Sequence, residues 1–487
     1  MADNWSGKHV LIIGAARQGL ALARYLIRQG ATVTLNDKRD ASSLQSAIEA
    51  MQGLDNLHWA LGSHDIALLQ GMDLLCLSGG ISIDLPIVLE ARRTGLPVSN
   101  DTQIFMDQVK AAVAGITGSA GKTTTTTLVG KMLESATLPP HKAWVGGNIG
   151  QPLIEFVDQI APQDKVLLEL SSFQLELMHC SPHIAAILNI TPNHLDRHGT
   201  IEAYTAAKVH ILSHQSKDDI AVLNREDPGS WNLRSEVKGR LLSFGMQPPA
   251  SDLDGTFCQN GQLYLKLGSN TLAIMPLESI KLRGEHNIHN VLAACVIAAA
   301  LEIPLEVMRS CVERFSGVPH RLEFVREWRG SQWYNDSIAT APERAMAAVH
   351  SFQEPLILLL GGRDKNLPWQ DLAELVHRRV KHVIVFGESA SKILAALGDV
   401  QPGETLQSIQ HCGALQEAVQ AAAKLARGGD VILLSPGGTS FDAFKDFEER
   451  GEQFRLWVNT LSSTTIPPRL IPTRSCAACW TRCAPEA

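Results

Sequence analysis

The chain has 487 residues, 45% of them apolar and 19% charged, with a formal net charge of −7. At about 150 residues per domain this allows about three packed domains, and the acidic balance argues against nucleic acid as the main partner while leaving room for a local basic patch that reads a phosphorylated small molecule. No run reaches the roughly 18 apolar residues of a membrane span. The start, "MADNWSGKHVLIIG", lacks the basic-then-apolar pattern of a secretory signal. The nine cysteines include six scattered through mostly apolar segments, a pattern of buried free thiols in a reducing compartment. These points favour a cytoplasmic enzyme with no membrane partner.

In chain order, short β-type runs alternate with turns and helical sequence. "HVLIIGAA" leads into the amphipathic "QGLALARYLIRQG", and "ATVTLND" and "MDLLCLSGG" follow. The middle carries "AAVAGITG", "KVLLELSS", "HIAAILNIT" and "DIAVLN"; the last third carries "PLILLLGG", "KHVIVFGES" and "GDVILLSPGG". Near-continuous apolar strands separated by helices imply buried parallel sheets, so the fold class is α/β with three sheets. Boundaries are expected near residue 100 and at "ERFSGVPHRLE", where Gly317 and Pro319 break the pattern. The domains are then 1–100, 101–316 and 317–460. Residues 461–487 hold Pro467, Pro468 and Pro472, then Cys476, Cys479 and Cys483, with no period. A disordered tail or a shifted reading frame accounts for them better than a metal site, since no fourth ligand is evident.

"AGITGSAGKTTTTT" is the strongest local signal. A strict phosphate loop reads Gly-x4-Gly-Lys-Ser/Thr, but Ile116 occupies the first glycine's place, and the spacing is Gly115-x2-Gly118-x2-Gly121-Lys122-Thr123. The physical requirements survive: glycines let N–H groups converge on phosphate oxygens at a helix N-terminus. Lys122 can bridge phosphates, and Thr123 can hold Mg²⁺. In "GAARQG", Gly14 to Gly19, Ala16 replaces the middle glycine of a dinucleotide loop; Asp37 at the end of the next strand is placed for a ribose or base contact. Glu169 ends "VLLE", and His194 and Asp196 lie in "NITPNHLDRHG", both at strand ends where α/β sites form and where oxygen ligands suit Mg²⁺. Lys208 sits on a helix beside Tyr204 and Leu212; by pattern alone it reads as a solvated lysine. "YNDSIAT", "LGGRDKN" and "LLSPGGTSFDAFKDFEERG" together describe a ligand face on one sheet.

The ordered set "GITGSAGKT", "GGNIG", "LELSSFQLE", "NITPNHLDRH", "YTAAK", "GEHNIHN", "GVPHRLE", "NDSIAT" and "LLSPGGTSFDAFKDFEERG" resembles the Mur ligases of peptidoglycan synthesis, from about residue 7 to about 460. The resemblance implies a Rossmann-like N-terminal domain for a UDP-substrate, a central P-loop ATPase-like domain with a mostly parallel sheet, and a Rossmann-like C-terminal domain for an amino acid. It implies ATP-dependent addition of D-glutamate to UDP-N-acetylmuramoyl-L-alanine through an acyl phosphate, in a monomer that uses ATP and a pair of Mg²⁺ ions. ATP would be held by Gly115, Thr117, Gly118, Gly121, Lys122, Thr123, Thr124, Asn287, Asn290, Arg321 and Asp336. The metal ligands would be Thr123, Glu169, His194 and Lys208, with Lys208 carbamylated, so that an oxygen-donor anion replaces an ammonium. Lys122, His194 and Lys208 would carry the catalysis. The UDP-substrate would meet Arg17, Gln18, Asp37, Lys38, Ser78, Gly80 and Asn148, and D-glutamate would meet Thr340, Lys365, Ser440 and Phe447. Ile338 stands where some members carry lysine. The alternatives are a sister ligase, a folylpolyglutamate-synthase-like amide ligase, and a dinucleotide-dependent oxidoreductase based on "GAARQG". A non-enzymatic P-loop switch would not need a third ligand domain.

Overall fold

The computed structural model describes residues 5–462. The chain forms two compact units, one ending at Val318 and one beginning at Pro319. The cysteine-rich segment, and the predicted tail from residue 463 on, lie outside the described residues.

The first unit contains two sheets. One is all parallel: β1 (His9–Ile13), β2 (Thr32–Asp37), β3 (Leu57–Leu61), β4 (Leu74–Leu77) and β5 (Val98–Asn100), in the order β3-β2-β1-β4-β5. The strand order reverses beside β1, so the loops after β1 and β4 open at a switch point, where doubly wound sheets bind ligands. The helix Arg17–Arg28 buries Ala21, Leu22, Tyr25 and Leu26, the single face that its period predicts.

The second sheet has nine strands: β6 (Val113–Thr117), β7 (Ala143–Gly147), β8 (Lys165–Glu169), β9 (Ile184–Ile187), β10 (Ile220–Asn224), β11 (Arg240–Phe244), β12 (Asp254–Gln259), β13 (Gln262–Leu267) and β14 (Asn270–Pro276). Their order is β14-β13-β12-β11-β10-β9-β6-β8-β7. Strands β6 to β12 pair in parallel, and β12 to β14 add an antiparallel meander. That meander was not anticipated. Its signal is the Asn260-Gly261 pair between β12 and β13, both residues at positive φ, as a tight hairpin requires. The helix Glu285–Ala300 is apolar all round and buried from Val291 to Ala298, as the enclosed part of a helix must be, and its first turns are polar. It packs on the helix Lys122–Ala136, which starts at the phosphate loop. The two sheets of this unit are cross-tied: Arg24 pairs with Glu155, and Asn100 Nδ2 donates to Gln174 O at 2.8 Å.

The second unit holds β15 (Glu323–Trp328), β16 (Ser331–Asn335), β17 (Leu356–Gly361), β18 (Val380–Phe386), β19 (Ser408–His411) and β20 (Val431–Gly437), in the order β15-β16-β20-β17-β18-β19. Among the described strands of this unit, only the β15–β16 pair is antiparallel. On its flank, His377 meets two acceptors, Glu404 at Nδ1 and Leu397 O at Nε2. Burial alone would favour the neutral ring, but the two acceptors hold the pKa above its usual value. A raised folded pKa adds stability below the unfolded value and loses it as pH rises through the folded one. We therefore expect His377→Gln to lower the melting temperature more at about pH 6 than at about pH 8.5; equal losses at both would leave only packing to explain them.

Among the described residues, no helix is long and apolar enough to cross a membrane.

Candidate active site

At the switch point of the first sheet, Gly14 has φ +101°, and a Cβ there would stand 2.9 Å from Ser78 Cβ, so the loops after β1 and β4 touch. Gln18 Oε1 accepts from the Gly79 N–H at 3.1 Å and ties them further. Arg17, Lys38 and Gly80 are exposed around this loop pair. Asp37 is placed differently from a free ribose acceptor. Its carboxylate accepts from the Ala15 N–H at 2.9 Å and from the Arg39 guanidinium at 2.7 and 3.0 Å. The Arg39 side chain holds its pKa well below the usual carboxylate range, so Asp37 braces the loop as an anion. Ser78 is buried with no hydrogen-bond partner for its hydroxyl. Across a narrow crevice lies Asp101, whose Oδ1 also has none and whose pKa is pushed up to about 6 by burial.

The phosphate loop bends between β6 and the helix Lys122–Ala136. Gly121 takes φ +82°, and a Cβ on it would lie 2.2 Å from Asn290 Oδ1. The missing side chain thus brings Asn290 onto the loop, and Asn290 Nδ2 donates to Asn287 Oδ1 at 3.1 Å, so both predicted asparagines gather there. Gly115 is elsewhere: it lies inside β6, where a Cβ would strike Pro182 and Leu170, so it serves packing. Lys122 Nζ donates to Gly118 O at 2.7 Å. Thr123 is partly exposed at the first helical turn, and Thr124 is buried.

Lys208 is 1% exposed. The helix Ile201–Ser213 buries Tyr204, Ala207, Lys208, Ile211 and Leu212, one continuous face, and Lys208 is part of it. Its Nζ donates to Thr117 Oγ1 at 3.2 Å and to Gly118 O at 3.1 Å, and lies 4.7 Å from the Tyr204 ring centroid. Burial, then the charge of Lys122, pushes its pKa down to about 6. Both effects favour the neutral, nucleophilic amine over the ammonium. Glu169, 1% exposed at the end of β8, accepts from Asn148 Nδ2 at 2.8 Å through Oε1; its Oε2 is buried without a hydrogen-bond partner. A buried carboxylate oxygen left unpaired is costly, and a cation would satisfy it. His194 stands exposed at φ +53° with its ring 5.2 Å from Phe173. The side chain of Asp196 lies outside the described residues.

In the second unit the three predicted loops follow β16, β17 and β20. Lys365 Nζ donates to Thr340 Oγ1 at 3.3 Å. Ser440 is buried, and Phe447 opens the helix Phe447–Asn459, its carbonyl accepting from Ser337 Oγ at 2.8 Å. Asp336 accepts from Ser435 Oγ at 2.8 Å and the Leu322 N–H at 3.1 Å, and burial pushes its pKa up to about 7. Arg321 sits between His320 and Leu322, both at positive φ. A groove of about 480 Å³ lined by Gln410, Cys412, Gln416 and Lys424 holds none of these residues.

Comparison with known proteins places this arrangement. Residues 8–100 match the Mur ligase MurD-like N-terminal domain, 116–298 the Mur ligase middle domain and 320–438 the Mur ligase glutamate ligase domain. The chain is 40% identical over 451 residues to the UDP-N-acetylmuramoylalanine–D-glutamate ligase of Symbiobacterium thermophilum, covering 93% of this chain and 98% of that one. The chain belongs to the Mur ligase family. A second relative of this Mur ligase, the enzyme of the same name from Acetivibrio thermocellus, is 38% identical over 464 residues, covering 94% and 97%. Among solved structures, the UDP-N-acetylmuramate–alanine ligase of Thermotoga maritima aligns with a TM-score of 0.54 at 17% identity, over 92% of this chain and 98% of that one. A MurF structure from Acinetobacter baumannii aligns with a TM-score of 0.54 at 18% identity, over 92% and 93%. These two likenesses show the fold.

Sequence reading missed two residues at the sites of this Mur ligase. Asp101 falls in "LPVSND", at the boundary expected near residue 100, and nothing in that stretch singles it out. Arg450, fully buried, donates to Ser337 Oγ and O at 2.9 and 2.8 Å and to Gly438 O at 3.1 Å, and lies 2.8 Å from the point where a Cβ on Gly362 would be. One guanidinium thus joins the loops after β16, β17 and β20. Its only sequence signal is an arginine amid "FEERGEQF", a pattern shared by any exposed charged helix.

Proposed function

We propose that this Mur ligase joins the carboxyl group of UDP-N-acetylmuramoyl-L-alanine to the amine of D-glutamate at the expense of ATP, by way of an acyl phosphate. The observation that carries the reading is the gathering of Lys122, Lys208, Glu169 and Asn290 at the carboxyl ends of adjoining parallel strands, in a chain collinear with ligases of that name. Residues 1–100 would hold the UDP-substrate through Arg17, Gln18, Lys38, Ser78 and Gly80, with Asp37 as the brace of that loop, and Asn148 of the central domain would add a further contact to it. Residues 101–316 would hold ATP, and 317–460 the amino acid.

A carboxylate is a poor electrophile, and phosphorylation turns one of its oxygens into part of a leaving group. Lys122 and the amides of the phosphate loop would offset charge on the transferred phosphoryl group. Glu169, with its unpaired oxygen, Thr123, His194 and a carbamylated Lys208 would hold Mg²⁺. Bound Mg²⁺ ions supply charge neutralisation across the triphosphate. In the second unit, Lys365 would pair with a glutamate carboxylate while Thr340, Ser440 and Phe447 shape the rest of the pocket. A monomer acting in the cytoplasm fits this chemistry.

The purified protein is expected to release phosphate from ATP only when UDP-N-acetylmuramoyl-L-alanine and D-glutamate are both present. Equal turnover with L-alanine or meso-diaminopimelate would overturn the acceptor assignment, and stabilisation against heat by NADH but not by UDP would favour an oxidoreductase instead.

A further inference from the structure

The phosphate loop departs from the strict pattern because Ile116, not glycine, holds the first position. Ile116 is fully buried within β6, so the turn from Thr117 to Lys122 is made by only Gly118, Ser119, Ala120 and Gly121. A turn this short has few internal bonds to fix its shape. The segment after β9 supplies them. Asn189 Oδ1 accepts from the Ala120 N–H at 2.8 Å, Asn189 Nδ2 donates to Ala120 O at 3.1 Å, and Asn189 O accepts from the Ser119 N–H at 3.0 Å. The carboxamide pairs with Ala120 as a neighbouring backbone would. On either side, the Leu188 N–H donates to Thr117 O at 2.9 Å, and Ser119 Oγ exchanges hydrogen bonds of 3.0 Å with Thr191. A Cβ on Gly118 would stand 3.0 Å from Leu188 Cβ, so the two segments are in close contact.

These bonds divide the loop. The amides of Ser119 and Ala120 are spent on Asn189. An anion at this loop would be met by backbone amides beyond the clamp, at the start of the helix Lys122–Ala136. We propose that Asn189 is a positioning residue for ATP, its side chain and carbonyl clamping the Gly118–Gly121 turn in the shape that aims the start of the following helix at the phosphates. The clamp braces, from another strand, a loop in which Ile116 stands in the place of the first glycine. The proposal rests on the reading that this loop binds ATP.

Two variants test it. Asn189→Ala removes the side-chain half of the clamp. Asn189→Asp keeps the size and the acceptor for the Ala120 N–H but sets an oxygen against Ala120 O, so it serves if the alanine variant folds poorly. Both are expected to raise the KM for ATP about tenfold or more, and to weaken binding of a fluorescent ADP analogue similarly, with the KM values for the UDP-substrate and the amino acid within about twofold of wild type. Folded variants whose ATP KM is unchanged would overturn the proposal, as would a lowered melting temperature with all three KM values unchanged, which would mark Asn189 as structural only. Failure of the wild-type protein itself to bind the ADP analogue would instead overturn the assignment of the loop.

Discussion

Lys208→Ala is expected to lose activity by about a hundredfold to a thousandfold, with partial recovery when a short carboxylic acid such as acetate is added. The expectation follows from the burial of the amine. The Nζ of Lys208 lies beside Thr117 and Gly118 at the root of the phosphate loop, 1% exposed, with its pKa pushed down to about 6. An ammonium there would oppose both Lys122 and any divalent cation on Glu169. A neutral amine can instead add to CO₂ with release of a proton, and the carbamate would offer oxygen donors to a cation of the kind that the unpaired Glu169 Oε2 would also take. An added carboxylate can enter the space left by alanine and restore part of that donor set. Protein exchanged into ¹³CO₂ should show a carbamate carbon resonance that Lys208→Ala lacks. Full activity in the alanine variant would remove the carbamate from the mechanism.

Lys122→Met is expected to reduce phosphate release by on the order of a thousandfold while leaving UDP-dependent thermal stabilisation as in wild type. The methionine keeps most of the apolar stem and removes only the charge that would meet the triphosphate. In the structure Lys122 Nζ reaches back to Gly118 O at 2.7 Å, within the loop it is meant to serve. The variant separates its role from that of the UDP-substrate loops, since these are built from Gly14, Gln18, Ser78 and Gly80 on the other sheet of the same unit. Phosphate release within about tenfold of wild type would mean that charge at this position is not used in phosphoryl transfer.

Much of the architecture was legible because it follows from local chemistry. The buried face of Arg17–Arg28, the apolar strands of the three sheets and the helix opening at Lys122 each follow from a period or a breaker that neighbours in sequence supply. The antiparallel extension β12 to β14 is equally local in origin, through its Asn260-Gly261 turn. Lys208 marks where local reading fails. A lysine between Tyr204 and Leu212 has the same pattern whether its end reaches water or a sheet, and only the packing of its helix on the strand ends turns it inward. For Asp37 the place at the end of β2 is legible in sequence, while its bonds to Arg39 and the Ala15 N–H are decided by the fold.

What the sequence determined by itself was the class of chemistry: strand-turn-helix elements with glycines, Lys122 and Thr123 at one junction, acids at others, and a set of motifs in family order. These are contiguous patterns, and short-range sterics and hydrogen bonding suffice to define them. What only the tertiary structure decided was which groups brace them: Asn189 against Ala120, Arg450 across Ser337 and Gly438, and Asn290 over Gly121. Ser337 and Gly438 stand 113 and 12 residues from Arg450, and Ala120 stands 69 from Asn189. Such pairs have no period to betray them, because a backbone carbonyl or amide is the same group at every residue, and only the folded path of the chain selects which one a side chain meets.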